Sequence, residues 1–474
     1  MPLMPISSEF RHPHPSGPAA RRALVVAALG LLFCSGGPAP GKAWLRALVP
    51  AASAAELCGI DGVFGPAASG PAAAAYNPAL LGTAPPTAAP AEALPGRQVE
   101  LFSVAAGVGN SSLSMRQYAA LNGAFWDEGD KDEILDSIED GQLDVRGDAQ
   151  ARVAGVAWGR WAFGTRTRAE GRIAVPRQVL ELMLYGNTVG ESFSVEGTSG
   201  EGIALTEYRL SGALELSELV GREGLLGGWL GGSLGGGLDE RGGESVQPWQ
   251  VGLTFKLLQG WQYARILDAE GGITTTSEVL YGDGSVRSLT ARGGRGWGAD
   301  LGCAGPVGDA WTVSLVGSDL VGRVGFTGQV EERLDTFDVS GLTIGDEGEA
   351  VITSETVAVE LREWQVDLPA RFSLGLAHHG EAALASVRID LATEDRLGAS
   401  RVPRLGAGYA RRLQDWLIVR GLFSVGGIDG ASLGGELGWS VGPVQWNAGL
   451  RSWGSLNPWN SRGLGVVTAL NLTL

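Results

Sequence analysis

Only two of the chain's four histidines, His378 and His379, lie far from its amino terminus. As neighbours in an extended segment they point to opposite faces, so they cannot by themselves hold one metal ion or act as one general base. No Ser/His/Asp set assembles either. The run GGWLGGSLGGG around Trp229 has the glycine spacing of a phosphate loop, but no Lys-Ser or Lys-Thr follows it, which makes it a flexible or close-packed turn. From Asp127 to Asp148 there are ten carboxylates against Lys131 and Arg146. They lack the spacing and turn glycine of an EF-hand and read as a solvated acidic loop, not a calcium site. These features predict a protein that is not an enzyme and has no cofactor or metal.

A different set of polar residues stands out by its setting. Arg388, Asp390, Arg420, Glu436, Asn447 and Arg451 occur inside segments of period two, each opposite a greasy face. Ala385, Val387, Ile389 and Leu391 alternate with Ser386, Arg388 and Asp390. Leu433, Leu437, Trp439 and Val441 alternate with Glu436 and Ser440, and Val444, Trp446, Ala448 and Leu450 with Gln445, Asn447 and Arg451. Such alternation is the signature of antiparallel strands with one apolar and one wet face. If the wet face lines a lumen, its mixed charge either hydrogen-bonds a plug or lines a pore, and the plug-holding network is the simpler reading.

Fourteen strands are predicted: roughly 97–108, 149–158, 161–172, 202–216, 249–267, 291–304, 311–327, 366–378, 382–392, 402–411, 416–426, 431–440, 444–453 and 463–474. The connections sort by parity. One set is short (159–160, 305–310, 379–381, 413–415, 442–443). The other is mostly long (109–148, 173–201, 268–290, 328–365, 393–401, 427–430, 454–462). A soluble sandwich has no reason to sort loop lengths this way, whereas a transmembrane barrel has short turns at one rim and long loops at the other. One long connection, 217–248, falls on the short side. Trp158, Trp161, Trp311, Trp439 and Trp446 flank the short turns, where an interfacial aromatic girdle belongs. Trp416 also borders such a turn but shares strand parity with Arg420. The expected fold is all-β, a transmembrane antiparallel up-and-down barrel. Short helices are expected in the outer loops, one over 176–185.

Composition agrees. There are 75 glycines in 474 residues, only three lysines (Lys42, Lys131, Lys256), and a formal net charge of −16. So acidic a chain is repelled by phosphate backbones, which argues against a nucleic-acid partner. Arg21 and Arg22 precede an apolar run from Ala23 to Phe33, the length of a signal-peptide core and too short to cross a bilayer as a helix. Small-residue cleavage sites occur at Ala52 to Ala55. The mature chain then retains Cys58 and Cys303, which an oxidising compartment would allow to pair or leave free.

YNPALLG, then the linker TAPPTAAPAEALPG and the first strand, resembles the amino-terminal region of FadL-type outer-membrane proteins, whose relatives include PorV and TraF-like barrels. VPRQVLELMLYGN and VGLTFKLLQGWQYA resemble further stretches of an uncharacterised branch of that group. The resemblance implies a fourteen-stranded outer-membrane barrel whose amino terminus folds into the lumen as a hatch. Asn77, Pro78 and Ala79 match the Asn-Pro-Ala tripeptide inside it. The expected organisation is a targeting segment at 1–55, a plug and linker at 56–96 and a barrel at 97–474. The expected function is passage of a hydrophobic small molecule across a Gram-negative outer membrane, with membrane lipid around the wall. The alternative is a PorV-like scaffold for a secretion or surface-attachment system, and an outer-membrane lipid-modifying enzyme is a weaker third.

Overall fold

The computed structural model describes residues 62–83, 97–138, 141–186, 189–220, 248–277, 279–343 and 351–474. Its strands are β1 (Gln98–Asn110), β2 (Gln142–Trp158), β3 (Trp161–Pro176), β4 (Ser192–Ser194), β5 (Ser199–Glu215), β6 (Gln250–Thr275) and β7 (Val279–Val307). These are followed by β8 (Trp311–Ser318), β9 (Arg323–Thr343), β10 (Val351–Glu360), β11 (Trp364–Asp367) and β12 (Arg371–His379). The last are β13 (Ala383–Ala392), β14 (Arg404–Gln414), β15 (Leu417–Gly426), β16 (Ser432–Val441), β17 (Val444–Trp453) and β18 (Gly463–Thr473).

Neighbours pair antiparallel, and β18 returns to β1 from Gly109↔Gly463 to Gln98↔Thr473, closing the sheet. β8 and β9 both run along β7, so they are two parts of one broken strand. β10, β11 and β12 form the next, pairing in turn with β9, β9 and β8. β4 is a short addition on the outer part of β6. Counted this way the wall is a closed barrel of fourteen strands, as the sequence period predicts.

The two faces are inverted relative to a water-soluble protein. In β15, Arg420 and Ser424 are buried, while Phe423 and Val425 on the other parity are exposed. Exposed Leu257, Leu301, Leu315, Leu374, Ile389, Leu405, Leu437, Leu450 and Val466 extend the same greasy band around the wall. A continuous apolar surface of this kind is stable only against lipid or another apolar phase. Among the described residues no helix is long and apolar enough to cross a membrane.

Near the short turns, Trp158, Trp161, Trp311 and Trp446 are exposed, and Trp439 stacks on Trp446 with ring centroids 4.9 Å apart. Trp416 keeps the girdle instead of breaking it. It sits in the turn before β15, after a register shift at Arg412/Gln414, and is exposed although Arg420 is buried.

Two predicted loops are not loops. β6 continues to Thr275 and meets β7 at Val279, and β9 runs to Thr343 with β10 alongside, so most of 268–290 and 328–365 is paired strand. The greasy/wet alternation stops there, but the backbone pairing does not, because ladder hydrogen bonds are made by the main chain and need no apolar face. The helices outside the wall are α2 (Met115–Leu121), α3 (Glu128–Asp136), α4 (Arg177–Tyr185) and α5 (Leu216–Val220); α1 (Gly70–Tyr76) lies inside it. Capping boxes at Ser114–Gln117 and Asp127–Asp130 start α2 and α3. The exceptional long connection lies mostly outside the described residues.

Candidate functional site

The segment Gly62–Thr83 occupies the lumen. Its residues touch inward-facing groups from β1 to β14: Pro66 lies over Gly375, Phe64 over Gly408, Pro71 over Gly155 and Ala79 over Gly252. α1 is GPAAAAY, with proline in the first turn and Ala72, Ala73 and Ala74 buried. Alanine suits the place, since α1 and the turn that follows it share one buried cluster with Ala157, Ala162, Ala213 and Ala304 of the wall, where larger side chains would overpack. Asn77 ends α1 in an extended conformation and caps the next turn, Pro78–Gly82, by accepting from the Ala79 amide at 3.0 Å. Its Nδ2 donates to the wall at Ser314 Oγ (2.9 Å), Leu315 O (3.1 Å) and Cys303 O (3.2 Å). Cys303 and Leu315 are register partners, so the side chain is inserted at one rung of the β7–β8 ladder. Cys303 is a free thiol on the outward parity of Leu301; Cys58 lies outside the described residues.

Above the segment is a closed ring of alternating charge. Arg168 pairs with Asp319 at 3.2 Å, Asp319 with Lys256 at 2.7 Å, and Lys256 with Asp300 at 2.6 Å. Asp300 pairs with Arg209 at 2.8 Å, Arg209 with Glu207 at 2.8 Å, and Glu207 with Arg168 at 3.0 Å. All six side chains are buried. Asp319 reaches the ring from the break between β8 and β9, at a left-handed φ of 54°. Its own amide donates to Asp300 Oδ1 at 2.8 Å. Arg209 also donates to the carbonyl of Ala74 at 3.1 Å, joining the ring to α1.

The lumen residues picked out by parity fall into three groups. Arg420 donates to Glu436 (2.6 Å) and Asn447 (2.8 Å), bridging β15, β16 and β17. Arg388 binds Asp390 (2.6 Å) and donates to the carbonyl of Gly62 (2.7 Å), so it holds the inner segment. Arg451 stands apart from both, paired with Asp429 at 2.7 Å and lying 5.2 Å from the Trp453 ring centroid. Parity reading missed the ring altogether. A lone lysine in the greasy strand VGLTFKLLQG was the available signal, because a lysine in such a strand must find a carboxylate inside.

His378 and His379 separate as expected. His378 packs edge-on to Trp311 at 4.6 Å, and His379 meets Thr312 Oγ1 at 3.2 Å. Among the described residues no cluster of His, Cys, Asp and Glu could hold a metal ion.

Between the ring, Tyr76 of α1 and the β13–β14 connection is a cavity of about 550 Å³. That connection is folded inward: Arg396 pairs with Glu201 at 2.5 Å, which raises the arginine above its ordinary value, and Leu397 is buried among apolar wall side chains. The cavity lining holds twelve Arg or Lys and seven Asp or Glu, a formal charge of +5 inside a chain of −16.

A closed barrel with a greasy exterior, a charged lumen and an occupied bore has the architecture of a membrane-spanning β-barrel. The chain belongs to the family of unknown function DUF5723, which it matches over residues 98–450. The solved structures it resembles include FadL-family outer-membrane channels. One is the Pseudomonas putida toluene transporter TodX (12% identity, TM-score 0.43, covering 85% of this chain and 93% of that one). Another is the Ralstonia pickettii toluene transporter TbuX (13%, 0.44, 85% and 94%). A third is a Pseudomonas aeruginosa FadL homologue (11%, 0.43, 85% and 93%). No curated protein matches.

Proposed function

We propose that this chain is an outer-membrane channel for a small molecule, in which the segment around Asn77-Pro78-Ala79 is a plug that must shift for the lumen to conduct. The observation that carries this reading is the contrast between the bore and what fills it. The wall is a closed hydrogen-bonded ring, whereas among the described residues the inner segment adds no strand to it and is joined through side chains, among them Asn77, Arg388 to Gly62, Arg209 to Ala74, Ser386 Oγ to the Val63 carbonyl at 2.7 Å, and Arg152 and Arg388 against the Tyr76 ring. A plug joined to the wall this way can move without opening any strand pair.

The hydrophobic cargo implied by family resemblance would need an apolar lining. Part of the apolar interior, Leu205, Leu258, Tyr263, Leu289, Val324 and Phe326, is packed on itself and fully buried away from the cavity, whose lining mixes many charged groups with Tyr76, Ile266, Leu391, Val402, Ile428 and Trp453. A second reading, a scaffold for a surface partner, is supported by Phe125, Met183 and Trp459, which are 94%, 75% and 71% exposed on the outer elements.

Expression of the full chain and of a variant lacking residues 62–83 in a Gram-negative host tests the channel reading. The deletion should sensitise cells to a bulky hydrophilic antibiotic that the outer membrane excludes. Equal resistance, with both proteins showing the heat-modifiable gel mobility of a folded barrel, would contradict it.

A further inference from the structure

We propose that the lumen cavity binds a small polyvalent anion, a phosphate or polycarboxylate, with Arg166 as a direct contact. This rests on the channel reading for its biological sense, but the binding itself can be measured without any transport.

Charge balance comes first. Twelve of the chain's 36 basic residues line this one cavity. Nine are paired with carboxylates: Arg168, Arg209 and Lys256 in the ring, Arg371 with Glu170 at 2.8 Å, Arg396 with Glu201, Arg388 with Asp390, Arg146 and Arg451 with Asp429, and Arg172 with Asp144. Three carboxylates that pair with these cations, Glu207, Asp300 and Asp144, stand behind the lining and lower its formal surplus from +5 to +2, which remains in a space walled by protein, where it focuses potential on any anion that enters.

Arg166 is the clearest case. No carboxylate pairs with it; one Nη donates to Gln150 Oε1 at 2.8 Å, and the residue lines the cavity. A guanidinium held inside the protein without a paired counter-charge is costly. An anion supplies what is missing, since guanidinium forks match the planar geometry of carboxylate and phosphate oxygens.

Size and polarity point the same way. A space of about 550 Å³ has room for a small anion with part of its hydration. Hydrocarbon placed there would strip water from nineteen ionic side chains without replacing a hydrogen bond.

The test uses the full-length barrel in detergent, titrated separately with pyrophosphate, citrate and toluene, and followed by the fluorescence of Trp453 at the cavity wall, read as the difference from a Trp453→Phe variant. Pyrophosphate or citrate should bind saturably, more weakly as sodium chloride is raised. Arg166→Gln should weaken binding about tenfold or more, the scale of one lost charge-assisted hydrogen bond, while Arg166→Lys should restore part of it. Heat-modifiable mobility of both variants shows that they fold. Which of the two probes binds more tightly assigns the phosphate or carboxylate class. Binding of toluene with no response to either anion would overturn the proposal, as would anion binding that Arg166→Gln leaves unchanged. If anions bind but the plug-deleted barrel conducts nothing, the channel reading fails and the anion site stands.

Discussion

A Cβ on Gly302 would lie 1.8 Å from the Oδ1 of Asn77, so the bare backbone at Gly302 is what lets the asparagine reach the β7–β8 rung. The wall and the inner segment are fitted to each other at this point. Gly252 repeats the arrangement, where a Cβ would come within 2.1 Å of the Ala79 amide.

Gly302→Ala should therefore displace the inner segment while leaving the barrel closed. Overpacking of this kind costs about 1–3 kcal/mol, and here the segment is the part that can yield. Limited proteolysis from the turn side should cut within 62–83 faster in the variant, with the heat-modifiable barrel band unchanged. Equal cutting rates would show that the contact is not a holding point.

Asp319→Asn should be strongly destabilising. It removes one of three anions from the buried ring and leaves Lys256 and Arg168 short of charge, a change worth roughly 3–5 kcal/mol when a buried pair is broken from one side. The temperature at which the folded band is lost on heating should fall. Adding Lys256→Met to it should recover part of the loss, because the stranded cation is then gone; a double variant worse than the single would contradict the ring as a coupled unit.

The same logic applies to β15, β16 and β17. Glu436→Gln keeps shape but leaves the Arg420 guanidinium, bonded at 2.6 Å in the parent chain, without a full counter-charge. Its melting temperature should drop more than that of Asn447→Ala, which removes a neutral acceptor. The opposite order would mean that the hydrogen bond matters and the charge does not.

Outside the wall, the hydroxyl of Tyr185 donates to Asp132 on the neighbouring helix α3, and that bond pushes the phenol up to about 12. The folded value is raised, so the contribution is fully present below the unfolded value near ~10 and is lost as pH rises through the folded one. In an ultraviolet titration of phenolate, Tyr185→Phe should remove a late-ionising tyrosine; loss of an ordinary one would mean the α3–α4 contact does not form.

The wall was legible because its physics repeats. Greasy and wet residues alternate through β13, β16, β17 and β18, and a barrel rim shows in loop lengths. The outer hairpins of β6, β7 and β9 were not legible, since wet strands and wet loops have similar composition. Arg420, Glu436 and Asn447 could be placed on one face by parity, but parity cannot say that Arg451 turns to Asp429 instead. The ring was hidden for a related reason. Asp319 comes from a strand break at positive φ, where no period continues, and its partners lie on strands distant in sequence.

The most direct measurement of the central claim is conductance across a planar lipid bilayer, comparing the full chain with the variant lacking residues 62–83. The account predicts that the full chain is closed or opens briefly, and that the deletion gives a sustained conductance which favours anions over cations in a salt gradient. A folded, heat-modifiable deletion variant that conducts no more than the full chain would contradict it.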